Sequence, residues 1–426
     1  MAGEQGGDME DPSDDGGAEW RAVVKWIGLT AHAEKGETGY VREGDDTRQS
    51  TELSLRIQVQ DNSGDHWGYR VDYLNVARNL SGAESTENRS GADIFRYKPW
   101  RRDLESPDTE EGQSPSSQTF RWSHEIDHAL VRVGGMAWEA VLGRQPITWG
   151  VGRFWSPTDL FAAFAPLALD TEYKPGVDGV TLSWFPSDFS ELNLAGVASP
   201  DDALSAQGDV DNSGALRWRT QVGEESEATL VAASVREESL LGGSIETSWQ
   251  DAGWRLEGVL FRPPATEGGE EDTYGYWVTG VDLQLTGSGW LAGTVVAAEV
   301  YRNTLGARKE SELPAVLATR RFGEGRLPHL AATVAALAAD QELGGLWRLG
   351  YAFLAAPLLN DAGNRQVSTL HRLTLAYSIS DEAEALLAWS TGNGTGLEEN
   401  PFAPPTVRSE FGHLPDTLYL SVQFVL

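Results

Sequence analysis

The stretch TELSLRIQVQDNSGDHWGYRVDY, residues 51–73, decides the fold. Leu53, Leu55, Ile57 and Val59 alternate with Glu52, Ser54, Arg56, Gln58 and Gln60. Past a compact break at 61–64, Trp67, Tyr69, Val71 and Tyr73 alternate with His66, Gly68, Arg70 and Asp72. A period of two sends one set to each face of a strand, and Asp-Asn-Ser-Gly between two such runs is a hairpin turn. The pattern returns around Leu216–Val222, Trp277–Leu285 and Leu373–Ile379. About 18 such segments (16–18) can be marked along the chain, and no amphipathic helix stands out. The class is all-β.

Composition narrows what such a chain can do. Its 426 residues carry 33 Lys+Arg against 64 Asp+Glu, a formal charge of −31, with 16 Trp, 47 Gly, 3 Met and no Cys. Without cysteine there are no disulfides, thiolate metal sites or cysteine nucleophiles. The acidic excess argues against nucleic acid, which needs a basic footprint. The longest charge-free apolar run, 330–339, is about half of the ~20 residues a helical membrane span requires. Residues 1–18 are rich in Asp, Glu and Gly and have no base, so they read as a disordered acidic tail ahead of a single β domain over 19–426. The tail lacks a signal peptide's basic start and apolar core.

Connector lengths separate a sandwich from a membrane barrel. Short turns at 61–64, 134–136, 186–190, 223–226, 250–253, 286–289, 340–345 and 380–384 alternate with long polar connectors at 33–49, 81–118, 147–174, 199–213, 237–242, 263–273, 303–327, 356–367 and 392–415. A transmembrane antiparallel up-and-down barrel has that asymmetry, with short periplasmic turns and long extracellular loops. Trp67, Trp184, Trp249, Trp254 and Trp290 lie beside short turns on the apolar face, where an aromatic girdle meets the membrane–water boundary.

The chain ends on another alternating run: Leu418, Leu420, Val422, Phe424 and Leu426 against Tyr419, Ser421 and Gln423. A strand at the very end can close a barrel on the first strand and remove an exposed edge. This run resembles the terminal signature of bacterial outer-membrane proteins, with Leu in place of the usual final Phe. The resemblance implies recognition of 418–426 by the barrel-assembly machinery. A second resemblance lies in DHALVRV at 127–133, LGRQPITWGVGRFWSPTDLF at 142–161 and PGVDGVTLSW at 175–184. These runs are similar to a bacterial outer-membrane porin-like β-barrel family with a GRQ-x-x-x-WG-x-G-x-x-x-x-PTDLF run between two strands. The resemblance implies a location in the cell outer membrane, among lipid and lipopolysaccharide, and a secretory signal outside this numbering.

Several motifs point elsewhere and fail on geometry. His124-Glu-Ile-Asp-His128 spells H-E-x-x-H, but in a strand its two histidines lie about 13 Å apart, too far to share one zinc. The 209–214 segment starts like a calcium loop and lacks the Glu at its twelfth position. No catalytic constellation, metal site or cofactor motif emerges, and no enzyme is expected.

The leading reading is a passive pore for small hydrophilic solutes or ions. Candidate wall residues on the inward parity are Arg56, Arg70, Asp72, Arg217, Arg219, Arg255, Glu257, Asp282, Glu299 and Arg372. The 147–174 connector combines six large apolar residues with charges, a composition suited to folding into the bore as a constriction. Its candidate residues are Arg153, Asp159, Asp170, Glu172 and Lys174, beside Arg144 on the preceding strand, with the carboxylates facing an arginine-bearing wall. Alternatives are a sleeve around a partner protein such as an electron carrier, a polymer exporter, or, in another class, a surface hydrolase. A homo-oligomer is compatible with any of the barrel readings.

Overall fold

The structure is a computed structural model that describes residues 17–38, 46–64, 66–81, 102–105, 118–161, 163–164, 168–198, 212–235, 238–264, 273–323, 325–400 and 403–426. The acidic tail at 1–16 and most of the 81–118, 199–213 and 263–273 connectors lie outside them. Eighteen antiparallel strands close into one barrel. Each barrel strand pairs with the next in sequence, from Glu19–His32 and Thr47–Gly64 onward. The last strand, Asp416–Val425, pairs on one side with Ala383–Asn393 and on the other with Glu19–His32. Closure leaves every barrel strand with two partners, so the barrel has no open backbone edge. No helix among the described residues is long and apolar enough to cross a membrane, which says nothing of a crossing by strands.

The period of two sorts the side chains. Leu53, Leu55 and Ile57 are exposed outside, while Arg56 and Gln58 on the opposite parity are buried inside. Trp67, Trp184, Trp249, Trp254 and Trp290 are all exposed near the short-turn end, the level at which ring edges meet both hydrocarbon and water.

Three local details differ from the sequence reading. The strands Ser226–Val235 and Glu238–Trp249 leave only two residues between them, so 237–242 is not a long connector. Gly242 and Gly243 break the alternation and mimic a loop, yet they pair with Val231 and Leu230. A Cβ on Gly242 would fall 2.6 Å from Val259 Cγ1, so close packing against the next strand explains the glycine there. The 303–327 connector contains short helical turns, Glu310–Glu312, Leu313–Leu317 and Arg320–Gly323, started by Pro314 in the first turn. Finally, the pairing of Gln118–Gly135 with Trp67–Ser81 shifts by one between Asp72 and Tyr73, skipping Asp127. This β-bulge buries Asp127 and His128 together, where strict alternation would separate them.

The bore is not empty. One apolar cluster joins Trp155, Tyr301, Leu313, Leu330, Leu354 and Phe411; another joins Trp149, Phe161, Val177, Val259, Phe261 and Tyr274. Both unite wall residues with residues of connectors, so the long-connector end of the barrel carries its own hydrophobic core.

Candidate functional site: a loop across the bore

The connector between the strands Trp138–Gln145 and Val177–Ser187 reaches the opposite wall. Glu257, on Ala252–Arg262, is buried and accepts hydrogen bonds from four donors of the loop. These are Thr158 N–H (2.6 Å), Thr158 Oγ1–H (2.6 Å), Val151 N–H (2.9 Å) and Gly152 N–H (3.1 Å). Glu299, on Val295–Asn303, accepts from Arg153 N–H at 2.6 Å and Phe154 N–H at 2.8 Å. Backbone amides arrayed in this way form a concave anion seat, and here the wall supplies the anions.

The local sequence makes the seat possible. A Cβ on Gly150 would lie 2.1 Å from Ser156 Cβ, and one on Gly152 only 1.6 Å from the Trp155 carbonyl oxygen. Only glycine fits where the chain folds back on itself so tightly. Both glycines of the WG-x-G run therefore serve the loop's docking.

Beyond the seat, Trp155 inserts into the first apolar cluster at 3% exposure. Its indole N–H donates to His329 Nε2 at 2.9 Å. His329 consequently carries its hydrogen on Nδ1 and donates it to Glu410 Oε1 at 2.8 Å. The Glu410 carboxylate also accepts from Ala331 N–H at 2.7 Å. The arginines around the tip are paired as well. Arg153 contacts Asp340, and Arg255 contacts Asp282 and lies 3.1 Å from Glu299.

The loop's return arm rests on the first and last strands. Lys25 Nζ lies 2.9 Å from Asp170 and 3.4 Å from Glu172, and Gln423 donates to Glu172 at 2.9 Å. Asp159 does not face an arginine wall. It is buried against Lys174, whose Nζ lies 2.5–2.6 Å from both its oxygens. Burial pushes the Lys174 ammonium down from its usual range, and the Asp159 carboxylate opposes that shift. Burial also raises the neighbouring Tyr173 hydroxyl to about 12, so the phenol stays neutral under the Arg56 guanidinium, 4.3 Å from its ring centre.

At the loop's base the bulge creates a charge cluster. Arg56 pairs with Asp127 at 2.8 Å and Asp72 at 3.3 Å; Arg70 pairs with Asp72 at 2.7 Å. His128 places Nδ1 2.7 Å from Asp72 and Nε2 3.0 Å from the Lys174 carbonyl. Arg144 grips Asp178 with two bonds of 2.7 Å and donates to the Ile126 carbonyl at 2.6 Å. Elsewhere on the wall, Arg217 and Arg219 share Glu191, at 2.8 and 3.2 Å. Arg372 stands opposite Ala352 and Ser390, with no carboxylate at either register position.

Exposure divides these candidates. Arg56, Asp72, Arg144, Asp159, Lys174, Glu257 and Glu299 are sealed, whereas Asp170 (43%) and Arg219 (46%) meet solvent, with Glu172, Asp340, Arg70 and Asp282 partly open. A cavity of about 1070 Å³ opens at the short-turn end among Glu191, Arg219, Glu227, Glu246, Arg255 and Asp282. No cluster of three or more His, Asp or Glu side chains suited to a metal occurs among the described residues.

Sequence reasoning missed Lys25, Asp127, His128, His329, Asp340 and Glu410. Lys25 was reachable from its strand's alternation. Asp127 required the bulge, and His329 and Glu410 lie in connectors with no period to read.

A closed 18-strand antiparallel barrel with a loop folded into it defines the porin class of fold. Solved structures share it along nearly the whole chain. A BenF-like porin from Pseudomonas fluorescens Pf-5 superposes with a TM-score of 0.58 at 9% identity, covering 96% of this chain and 98% of that one. OccK7 (OpdD) of Pseudomonas aeruginosa gives 0.58 at 11% identity over 97% and 99%. OccAB2 of Acinetobacter baumannii gives 0.57 at 9% over 96% and 98%. No protein-family model and no curated protein matches the sequence. At these identities the likeness is one of fold.

Proposed function

We propose that this chain is an outer-membrane porin, a passive diffusion channel for small hydrophilic solutes or ions. The observation that carries the proposal is the 147–174 loop docked inside a closed barrel, with Asp170, Glu172 and Asp340 left facing water beside it. In this reading the loop is the constriction. The buried side chains of Arg144, Asp159 and Lys174 hold its shape, Arg153 ties its tip to Asp340, and the open carboxylates act on what permeates. Charges beside a narrow path act strongly on ions, whereas exposed loop charges are screened within about 8–10 Å, so the path favours cations. The short turns then face the periplasm, the long connectors face outward, and lipopolysaccharide and the assembly machinery are the partners. A sleeve for a partner protein would need an open bore, and the apolar clusters at the long-connector end argue against one.

Planar-bilayer recording of the purified protein tests this. Stepwise ion conductance is expected, with a reversal potential in a salt gradient on the cation side. A protein that inserts and does not conduct would overturn it. The membrane face has its own check. Leu283→Arg should cost about 2–4 kcal/mol if the residue lies near the bilayer midplane, and a change at the neighbouring Gln284 far less. Equal penalties, read from unfolding in lipid vesicles, would mean that the alternation does not separate lipid from lumen.

A further inference from the structure

The two wall carboxylates that hold the loop are not equivalent. Glu299 has a guanidinium partner in Arg255 as well as the two loop amides. Among the described residues Glu257 has no cation at hydrogen-bond distance: its donors are three backbone N–H groups and one hydroxyl, all from the loop. Three of these donors are backbone N–H groups that cannot accept; only the Thr158 hydroxyl, which can turn its hydrogen to the Trp149 carbonyl at 3.1 Å, could take the O–H of a carboxylic acid, and the amides would then face a neutral group in place of an anion. The charged or titratable groups around it are themselves engaged or neutral. From the loop come Asp159, held by Lys174, and Arg153, held by Asp340. From the wall come Arg255, held by Asp282 and Glu299, and the phenol of Tyr276. The register neighbours of Glu257, Ser244 and Val278, carry no charge. Nothing on this list takes over the loop's amides when Glu257 loses its charge.

We propose that Glu257 is the positioning residue of the pore loop and that proton uptake by its carboxylate releases the loop tip, making the channel acid-responsive. The second anchor, Glu299 with Arg255, keeps the loop inside the barrel, so release is local and reversible. The proposal rests on the porin reading for its electrical readout and on the loop geometry alone for its structural one.

The test uses the full-length protein with a spin label at Ala163→Cys, a unique site because the chain has no cysteine. Ala163 is exposed, on the same loop. Lowering the pH from about 7.5 to about 4.5 should mobilise the label reversibly and raise mean conductance and current noise by roughly 1.5-fold or more. Glu257→Gln should show the mobile, noisy state already at the higher pH and lose most of the pH response; Glu299→Gln should retain the response. Thr158→Val removes one donor and spares the fold, and it should shift the transition to higher pH because the carboxylate is less stabilised. Heat-modifiable migration confirms that each variant forms a closed barrel. If Glu257→Gln assembles and matches the parent in label mobility and pH profile, the proposal is wrong. If Glu257→Gln does not assemble, an unmoved Thr158→Val transition overturns it. A label that mobilises in a protein that conducts at no pH would leave the anchoring intact and sink the porin reading instead.

Discussion

The two arms of the inward loop are held by opposite physics. The outgoing arm, 149–158, docks through buried hydrogen bonds to Glu257 and Glu299 and through Trp155 in an apolar cluster. The return arm, 168–172, lies on Lys25 and Gln423 through ion pairs and hydrogen bonds that water can reach. Buried polar contacts in a low-dielectric setting are costly to break, since a stranded donor or charge loses its hydration and its partner together. Exposed pairs contribute about 0–1 kcal/mol and weaken with salt. One arm is therefore built to stay, and the other offers carboxylates to whatever passes.

The largest expected effect lies at Trp155. Its replacement by Ala removes a buried indole and the bond to His329, and should cost about 3–5 kcal/mol, measured as a lowered denaturation midpoint in lipid vesicles. A cost under about 1 kcal/mol would mean that the outgoing arm is no better fixed than the return arm.

Next is the pair that closes the loop on itself. Asp159→Asn leaves the buried Lys174 ammonium without its partner and should cost about 3 kcal/mol or more, while Asp159→Leu with Lys174→Met should recover much of that loss. If the double substitution is as destabilising as the single one, the pair serves by shape and not by charge.

The segment carrying Glu410 supplies a pH effect. Burial holds the His413 imidazole below its ordinary 6.5, and its Nδ1 lies 3.2 Å from the Ser409 carbonyl. A lowered folded-state value means that the folded protein binds this proton less readily than the unfolded chain. The stabilisation is thus fully present above about 6.5 and is lost as pH falls through the depressed value. Amide exchange around 408–415 should accelerate in that window, and His413→Gln should flatten the dependence.

The smallest effect on stability, and the most telling for function, belongs to the return arm. Asp170→Asn with Glu172→Gln should change stability by no more than about 1 kcal/mol, yet move the reversal potential toward anions. Deleting 1–16 should leave that potential nearly unchanged. If the deletion moves it and the double substitution does not, the open carboxylates lie off the conducting path.

How much of this was legible varies by element. The alternation in 51–73 and 418–426 specifies strands and their two faces, because a pleated strand in a closed barrel meets only lipid and lumen. The clustering of short turns at one end follows from the same strands counted in order. The Gly242–Gly243 pair misled as a loop because glycine signals a turn and a close strand contact with the same letter. At Asp127 the alternation changes phase, with Phe120, Trp122 and Ile126 outward before it and Val131 and Val133 outward after it; a strict period of two reads past such a switch, and which residues it buries together depends on the pairing with Trp67–Ser81. The aromatics of 147–164 were visible as residues needing cover, but not what would cover them.

The sequence by itself determined an all-β chain with apolar and polar faces, an acidic surplus, no thiol chemistry and a final strand able to close a ring. These properties depend on neighbours along the chain, two or four residues apart, and such spacing is written in order. Only the tertiary structure decided that Glu257 and Glu299 are seats for loop amides and not bare pore wall, that Asp159 is sealed against Lys174, and that Trp155 meets His329, itself held by Glu410 of another connector. Those partners lie up to 174 residues apart. No local period encodes such a distance; closing the barrel brings them within hydrogen-bond reach.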